Sequence, residues 1–182
     1  MYNFPIDKDK FPNILPAFIE ISKRSNIKYE WCEDTKVLML DRILHSSVMY
    51  PENYGFIPQT LCEDGDPLDV LVLSNHQLQP GTIVHVRPIC YMNMTDEKGR
   101  DEKLLAVPVK EPYFNNVSKM EEISEHKLTE IKEFFTTYKN LEKDKWTSIE
   151  EWNDIDKTLE LIRKTHENYL QKTKLKCFYY KI

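Results

Sequence analysis

No stretch of the 182-residue chain approaches the roughly 20 consecutive apolar residues of a membrane-spanning helix, so no membrane partner is expected. Where a secretory signal would have its apolar core, the N-terminus carries Asp7, Lys8, Asp9 and Lys10, and the expected location is cytoplasmic. Cysteine pairs are missing too. Cys32, Cys62, Cys90 and Cys177 are scattered and form no C-x-x-C unit, which argues against a zinc knuckle or a dense disulfide framework and for reduced thiols. There is no P-loop, no G-x-S-x-G, no Cys/His pairing and no internal repeat. Nor is there an excess of positive charge: 25 basic against 30 acidic residues give −5, which disfavours a generic nucleic-acid binder while leaving room for a local basic cluster that grips a phosphate. No linker divides the chain, and a chain of this length buries about 70% of its unfolded surface, so one domain over 1–182 is expected. Within it, residues 1–16, with Pro5, Pro12 and Pro16, read as an extended surface arm, and 171–182 as a tail whose end, Leu175 to Ile182, is apolar.

What the chain does have is acidic residues crowded beside apolar runs. Glu63-Asp64-Gly65-Asp66-Pro67-Leu68-Asp69-Val70-Leu71-Val72 sets three aspartates before and inside a strand-like run. Carboxylates that close repel one another unless a cation neutralises them, and hard oxygen ligands suit Mg²⁺, Mn²⁺ or Ca²⁺ rather than zinc. Gly65 and Pro67 supply turn chemistry, so Asp69 is placed at the mouth of a buried strand with Asp64 and Asp66 on the turn before it. A solvated Asp-Gly turn is the plain alternative. An EF-hand fits badly, because its fifth position would be Leu68.

Other candidates flank this stretch. Phe18 to Ile21 is strand-like with Glu20 embedded in it, a carboxylate that either needs a partner or cation or faces outward from an edge. Lys28 and Glu30 share one face of a second strand, opposite Tyr29 and Trp31. Val37 to Leu40 runs into Asp41-Arg42, an ion pair or a guanidinium offered to an oxyanion. Tyr50 to Phe56 reads as a loop punctuated by Pro51 and Gly55, with tyrosines that either fill core or point hydroxyls at a polar site. Pro80-Gly81 marks a turn, Thr82 to Thr95 a long strand interrupted at Pro88, and Asp96 to Lys103 a charged hairpin-like loop before Leu104 to Val107. Helical stripes run from Leu128 to Leu141, with Tyr138 and Lys139 ending the helix, and from Ile155 to Leu170, with Asp154 as N-cap. Trp146 and Trp152 are expected to cover the join of helices and sheet, and His166 to be a satisfied interface histidine.

Taken together, Glu20, K-Y-E at 28–30, D-R at 41–42, Y-P-x-N-Y-G at 50–55, D-G-D-P-L-D at 64–69, D-x-x-x-x-D-x-K at 96–103 and Y-K at 138–139 resemble the signature of the prokaryotic-type family I inorganic pyrophosphatases. The resemblance covers roughly residues 17 to 146. It implies an α+β, mainly β fold, a five-stranded OB-like closed β-barrel flanked by two helices in the C-terminal half. It also implies Mg²⁺-dependent hydrolysis of pyrophosphate to two phosphates, with several Mg²⁺ ions, Mn²⁺ as substitute, and a water bridging two metals.

By that similarity Asp64, Asp69 and Asp101 hold one ion, Asp69 bridges to a second, Asp96 with Asp101 takes an ion arriving with substrate, and Glu20 and Glu30 complete the acidic rim. Asp66 is the general base. Lys28, Arg42, Tyr54, Lys103, Tyr138 and Lys139 bind the substrate's oxygens, with Tyr50 supporting the wall. A homo-oligomer is implied, a hexamer in the bacterial members, although their helix histidines are replaced by Glu133 and Thr137. The rival readings are a nucleotide pyrophosphohydrolase and a nucleic-acid-binding OB-like module. The sequence offers the first no base or ribose pocket and the second no basic groove.

Overall fold

In a computed structural model of the protein, residues 4–179 are described, with side chains through residue 174. Nine strands come in chain order: β1 Leu15–Ile21, β2 Ile27–Cys32, β3 Val37–Ile43, β4 Asn53–Phe56, β5 Asp69–Val72, β6 Ile83–Asp96, β7 Gly99–Arg100, β8 Lys103–Pro108 and β9 Thr147–Asn153. Two α-helices accompany them, α1 Glu125–Thr137 before β9 and α2 Ile155–Tyr179 after it. The fold is thus a mainly-β α+β fold with two helices in its second half.

Seven strands form one sheet in the order β1-β4-β5-β8-β6-β7, with β9 on β6 and a further β1–β6 pairing that returns the path to its start. Hairpin β2–β3 is a separate two-stranded sheet. It rests on β1 through the Phe18 and Trp31 rings, 5.3 Å apart, and the Trp31 amide, which donates to Glu20 Oε1 at 2.7 Å. Alternation along the strands feeds two cores. Leu71, Leu105 and Val107 face Phe134 and Phe135 of α1, whereas Val70, Val72, Leu104 and Ala106 join Leu15, Ala17, Ile19 and Ile162 of α2. Burial on both faces is why these strands read as unbroken apolar runs.

Several expectations need correction. The arm is shorter, because Leu15 and Pro16 are buried in β1, paired to Val86 and His85, while Phe11 lies against His166 with ring centroids 4.9 Å apart. The 50–56 segment is not all loop. Asn53–Phe56 is a buried strand between β1 and β5, and Gly55 is required there because a Cβ would lie 1.8 Å from the Phe18 carbonyl oxygen. Strand β6 runs unbroken through Pro88. The missing N–H falls where pairing with β1 has ended at Val86 and pairing with β9 has not begun at Tyr91, next to a register shift against β8. Helix α1 ends at Thr137, so Leu141 lies beyond the helical stripe and is exposed. Trp146 is also exposed, whereas Trp152, on the unforeseen β9, packs against the α1 core.

Two local expectations hold as stated. Asp154 caps α2 by accepting from the Lys157 amide at 3.0 Å, and His166 Nδ1 is satisfied by the Gln59 carbonyl at 2.8 Å. Cys32, Cys62 and Cys90 are free thiols, with Cys90 pushed up to about 12 by burial, and Cys177 lies outside the described side chains. Among the described residues no helix is long and apolar enough to cross a membrane. The apolar tail 175–182 lies outside the described side chains, although the backbone of α2 continues to Tyr179.

Candidate active site

The ends of β1, β2, β3, β5, β6 and β8, the turn before β5 and the segment after α1 surround one cavity of about 610 Å³. All thirteen residues singled out for chemistry line it: Glu20, Lys28, Glu30, Arg42, Tyr54, Asp64, Asp66, Asp69, Asp96, Asp101, Lys103, Tyr138 and Lys139. Tyr50 and Asp41 line it as well. Sequence reasoning missed Glu97 and Lys145 on its wall, and Glu142 just behind it.

Register explains the convergence. Asp69 opens β5 directly beside Lys103, the first residue of the parallel β8, and the β6–β7 hairpin folds Asp101 back so that its amide bonds the Met94 carbonyl at 2.9 Å. The Asp64-Gly65-Asp66 turn is closed by the Asp66 amide on Asp64 Oδ1 at 3.0 Å, and Gly65 supplies the positive φ of 92° that it needs.

Lys103 is the electrostatic centre. Its side chain is 2% exposed, and Nζ lies 2.5 Å from Asp69 Oδ2, within hydrogen-bond reach of Asp101 and 3.4 Å from the Tyr54 hydroxyl. Burial alone would lower its pKa, but the Asp101 and Asp69 charges outweigh burial and raise it. Tyr54 donates its hydroxyl to Asp69 Oδ2. Around this centre the carboxyls are strained electrostatically. Burial raises Asp101 despite Lys103, burial with the neighbouring Asp66 and Asp101 charges raises Asp64, and burial lifts Glu20 to about 8, with the Asp69 charge adding to it. The outward-facing reading of Glu20 is excluded, since that residue is only 8% exposed.

Cationic side chains stand opposite. Lys139, just past α1, reaches Asp96 at 2.8 Å and Glu97 at 3.3 Å. Lys28 lies 3.3 Å from Asp41, and Arg42 contacts Asp41 while its Nε donates to Glu142 Oε1 at 2.8 Å. Asp66 differs from the other aspartates: its side chain is 66% exposed and 3.9 Å from Lys98. Burial holds the Tyr50, Tyr54 and Tyr138 hydroxyls above the ordinary phenol range, so they remain donors.

Sequence and structure comparisons bear on this cavity. Residues 17–170 match the family model described as inorganic pyrophosphatase. The chain belongs to the inorganic pyrophosphatase family. Within the family it is 46% identical over 164 residues to the inorganic pyrophosphatase of Saccharolobus solfataricus, covering 89% of this chain and 95% of that one. It is 44% identical over 158 residues to that of a Nostoc species, covering 87% and 93%. Among solved structures, the inorganic pyrophosphatase of Thermus thermophilus superposes with a TM-score of 0.89 at 40% identity over 92% of this chain and 97% of that one. That of Helicobacter pylori gives 0.88 at 40% over 93% and 99%.

Ten carboxylates and six cationic side chains line the cavity, with no cysteine or histidine among them. The donor chemistry is therefore that of a hard divalent cation rather than zinc. Among the described residues, however, no group of three or more His, Cys, Asp or Glu side chains is already arranged to hold a metal ion. The Lys103 ammonium stands between Asp69 and Asp101 and supplies there the positive charge that a cation would.

Proposed function

We propose that the chain hydrolyses inorganic pyrophosphate to two orthophosphates in this cavity, acting as a single catalytic domain. The observation that carries the reading is one cavity, in a chain of this family, where lysines, an arginine and protonated phenols face carboxylates. The ring of pairings β1-β4-β5-β8-β6-β1 supports reading those five strands as a closed OB-like barrel with the site at its mouth.

The donor set fits Mg²⁺, with Mn²⁺ as a substitute. Asp64, Asp69 and Asp101 would hold one ion, Asp69 would share a second, Asp96 with Asp101 would hold one that enters with substrate, and Glu20 and Glu30 would complete the acidic rim. Such ions supply Lewis-acid charge and lower the pKa of water.

The chain's own groups do the rest. Lys28, Arg42, Lys103 and Lys139 neutralise the phosphoryl oxygens, and the phenols of Tyr54 and Tyr138 donate hydrogen bonds to them, Tyr54 by turning its hydroxyl away from Asp69 Oδ2. Asp66, the exposed aspartate, takes the proton of the attacking water. Self-association is supported by the family resemblance and by exposed Val37, Met39, Leu40 and Ile43 on β3.

The test is phosphate release from pyrophosphate as Mg²⁺ is titrated from zero. Turnover should be absent without the ion and rise to saturation, while Ca²⁺, larger and more flexibly coordinated, should support little. A chain that releases no phosphate at any Mg²⁺ concentration, or works as well in Ca²⁺, contradicts the proposal.

Arg42 yields a second expectation. Glu142, whose side chain is 8% exposed, holds the guanidinium Nε, so Glu142→Gln, which keeps an acceptor but loses the charge, should raise the KM for pyrophosphate about three- to tenfold, part of the worth of one charge-assisted bond. Asp144→Asn, a charge-matched change at an exposed neighbour, should leave KM where it was. Equal shifts in both variants would mean that net charge, and not the hold on Arg42, sets KM.

A further inference from the structure

The tyrosine wall is held from behind by a buried ion network outside the cavity. Glu52, immediately before β4, is fully buried. Lys23 Nζ donates to its two carboxylate oxygens at 3.1 and 3.0 Å, and Lys127 Nζ lies 2.9 Å from Oε1. Lys23, on the connection after β1, also donates to the Ser74 carbonyl at 2.8 Å, just beyond β5, and Lys127 belongs to the first turn of α1. The next residue extends the grip: Asn53 Oδ1 accepts from the Lys23 and Leu78 amides, and its Nδ2 donates to the His76 carbonyl at 3.0 Å.

An apolar filling of the same volume could hold these elements together equally well, since buried ion networks seldom add net stability over well-packed hydrophobic groups. What charges add is defined geometry. Lys127, Ile131, Phe134 and Tyr138 follow one helical stripe, three and four residues apart. At its far end Phe134 lies 4.8 Å from the Tyr50 ring and stacks on Tyr138 at 5.2 Å, while Tyr50 in turn contacts Tyr54 at 5.1 Å. Glu52 therefore sits between Tyr50 and Tyr54 in sequence and grips the other end of the stripe that carries Tyr138.

We propose that Glu52, Lys23 and Lys127 are positioning residues for pyrophosphate hydrolysis. They set the register of α1 against β4 and thereby fix Tyr138 and Lys139 in the same cavity wall as Tyr54. This inference rests on the substrate-facing roles given to Tyr138 and Lys139 above. None of the three network residues lines the cavity.

Glu52→Gln would leave two lysines without their anion and risks misfolding, so the test uses Lys127→Met. That lysine is 26% exposed, and Lys23 still neutralises Glu52 after the change. Measured in saturating Mg²⁺ well below the melting temperature, Lys127→Met should raise the KM for pyrophosphate about five- to tenfold and lower kcat about threefold or more, because sub-ångström misplacement of binding groups is costly. Lys127→Arg, which returns a cation to Glu52, should recover both constants to within about twofold.

The effect should also be coupled to the tyrosine: in a Tyr138→Phe background, Lys127→Met should lower kcat/KM at least about threefold less than in the parent, the remainder coming from Lys139. Unchanged KM and kcat with only a lowered melting temperature would overturn the inference, as would a full-sized effect in the Tyr138→Phe background. If Tyr138→Phe alone leaves kcat/KM unaltered, the role of Tyr138 falls and this inference with it, while pyrophosphate hydrolysis itself stands.

Discussion

Asp66→Asn is expected to lower kcat for pyrophosphate hydrolysis by about 10² to 10⁴, since the amide fills the same space but cannot take a proton. Its folded stability should change by less than about 0.5 kcal/mol, because the side chain is 66% exposed and lies 3.9 Å from its lysine partner. Asp69→Asn should behave differently. Asp69 accepts from both Tyr54 and Lys103, so the substitution removes one of the two carboxylates that hold a buried ammonium and weakens the cation site with it. Excess Mg²⁺ should then restore part of the rate in Asp69→Asn and none in Asp66→Asn. Asp41→Asn, which touches Arg42 from the rim, should cost less than either. Mg²⁺ rescue of Asp66→Asn, or the same metal dependence in both central variants, would show that base and ligand have been assigned wrongly.

Lys103→Met should produce the largest loss of stability. The residue is 2% exposed and bonds Asp69 and Asp101, two carboxylates of which Asp101 is already raised by burial despite its lysine. Removing the ammonium strands both, at a cost of about 3–5 kcal/mol, which for a domain of this size lowers the melting temperature by about 10 °C in Mg²⁺-free buffer. Adding Mg²⁺ should recover more stability in Lys103→Met than in the parent, because a divalent cation binding only the folded cluster replaces the lost charge. Activity should stay at least about tenfold down at saturating Mg²⁺, since the ion does not replace a lysine in its proposed second role of neutralising a phosphoryl oxygen. A melting temperature unaffected by the substitution, or equal Mg²⁺ stabilisation of both proteins, would remove Lys103 from the centre of the site.

Asp64 to Asp69 were legible from local rules, because a turn residue and an apolar run place them at the mouth of a strand. Asp96 to Lys103 read locally as a charged loop, and their place in the site came from the family resemblance. Residues whose role depends on distant chain were not legible. Glu142 reaches Arg42 across 100 positions, and the Lys23–Glu52–Lys127 network joins three segments that no local period connects. Strand β9, T-S-I-E-E-W-N, is mostly polar because much of it is solvent-facing on β6, so its period carried little signal. Strand β4 was hidden by its own glycine: Gly55 looks like turn chemistry, yet it answers a close approach of the β1 backbone. Apolar spacing persists to Leu141 although α1 ends at Thr137, so the sequence stripe outruns the helix.

The central claim is that this cavity is shaped for pyrophosphate itself and not for a nucleotide that contains the same linkage. Six cationic side chains and three phenols line the cavity and can hold the oxygens of a small polyanion. The measurement that tests this most directly is the initial rate of phosphate release from pyrophosphate and from ATP at equal concentration and saturating Mg²⁺. Rapid release from pyrophosphate with little from ATP is the predicted result; substantial turnover of ATP with little of pyrophosphate would contradict it.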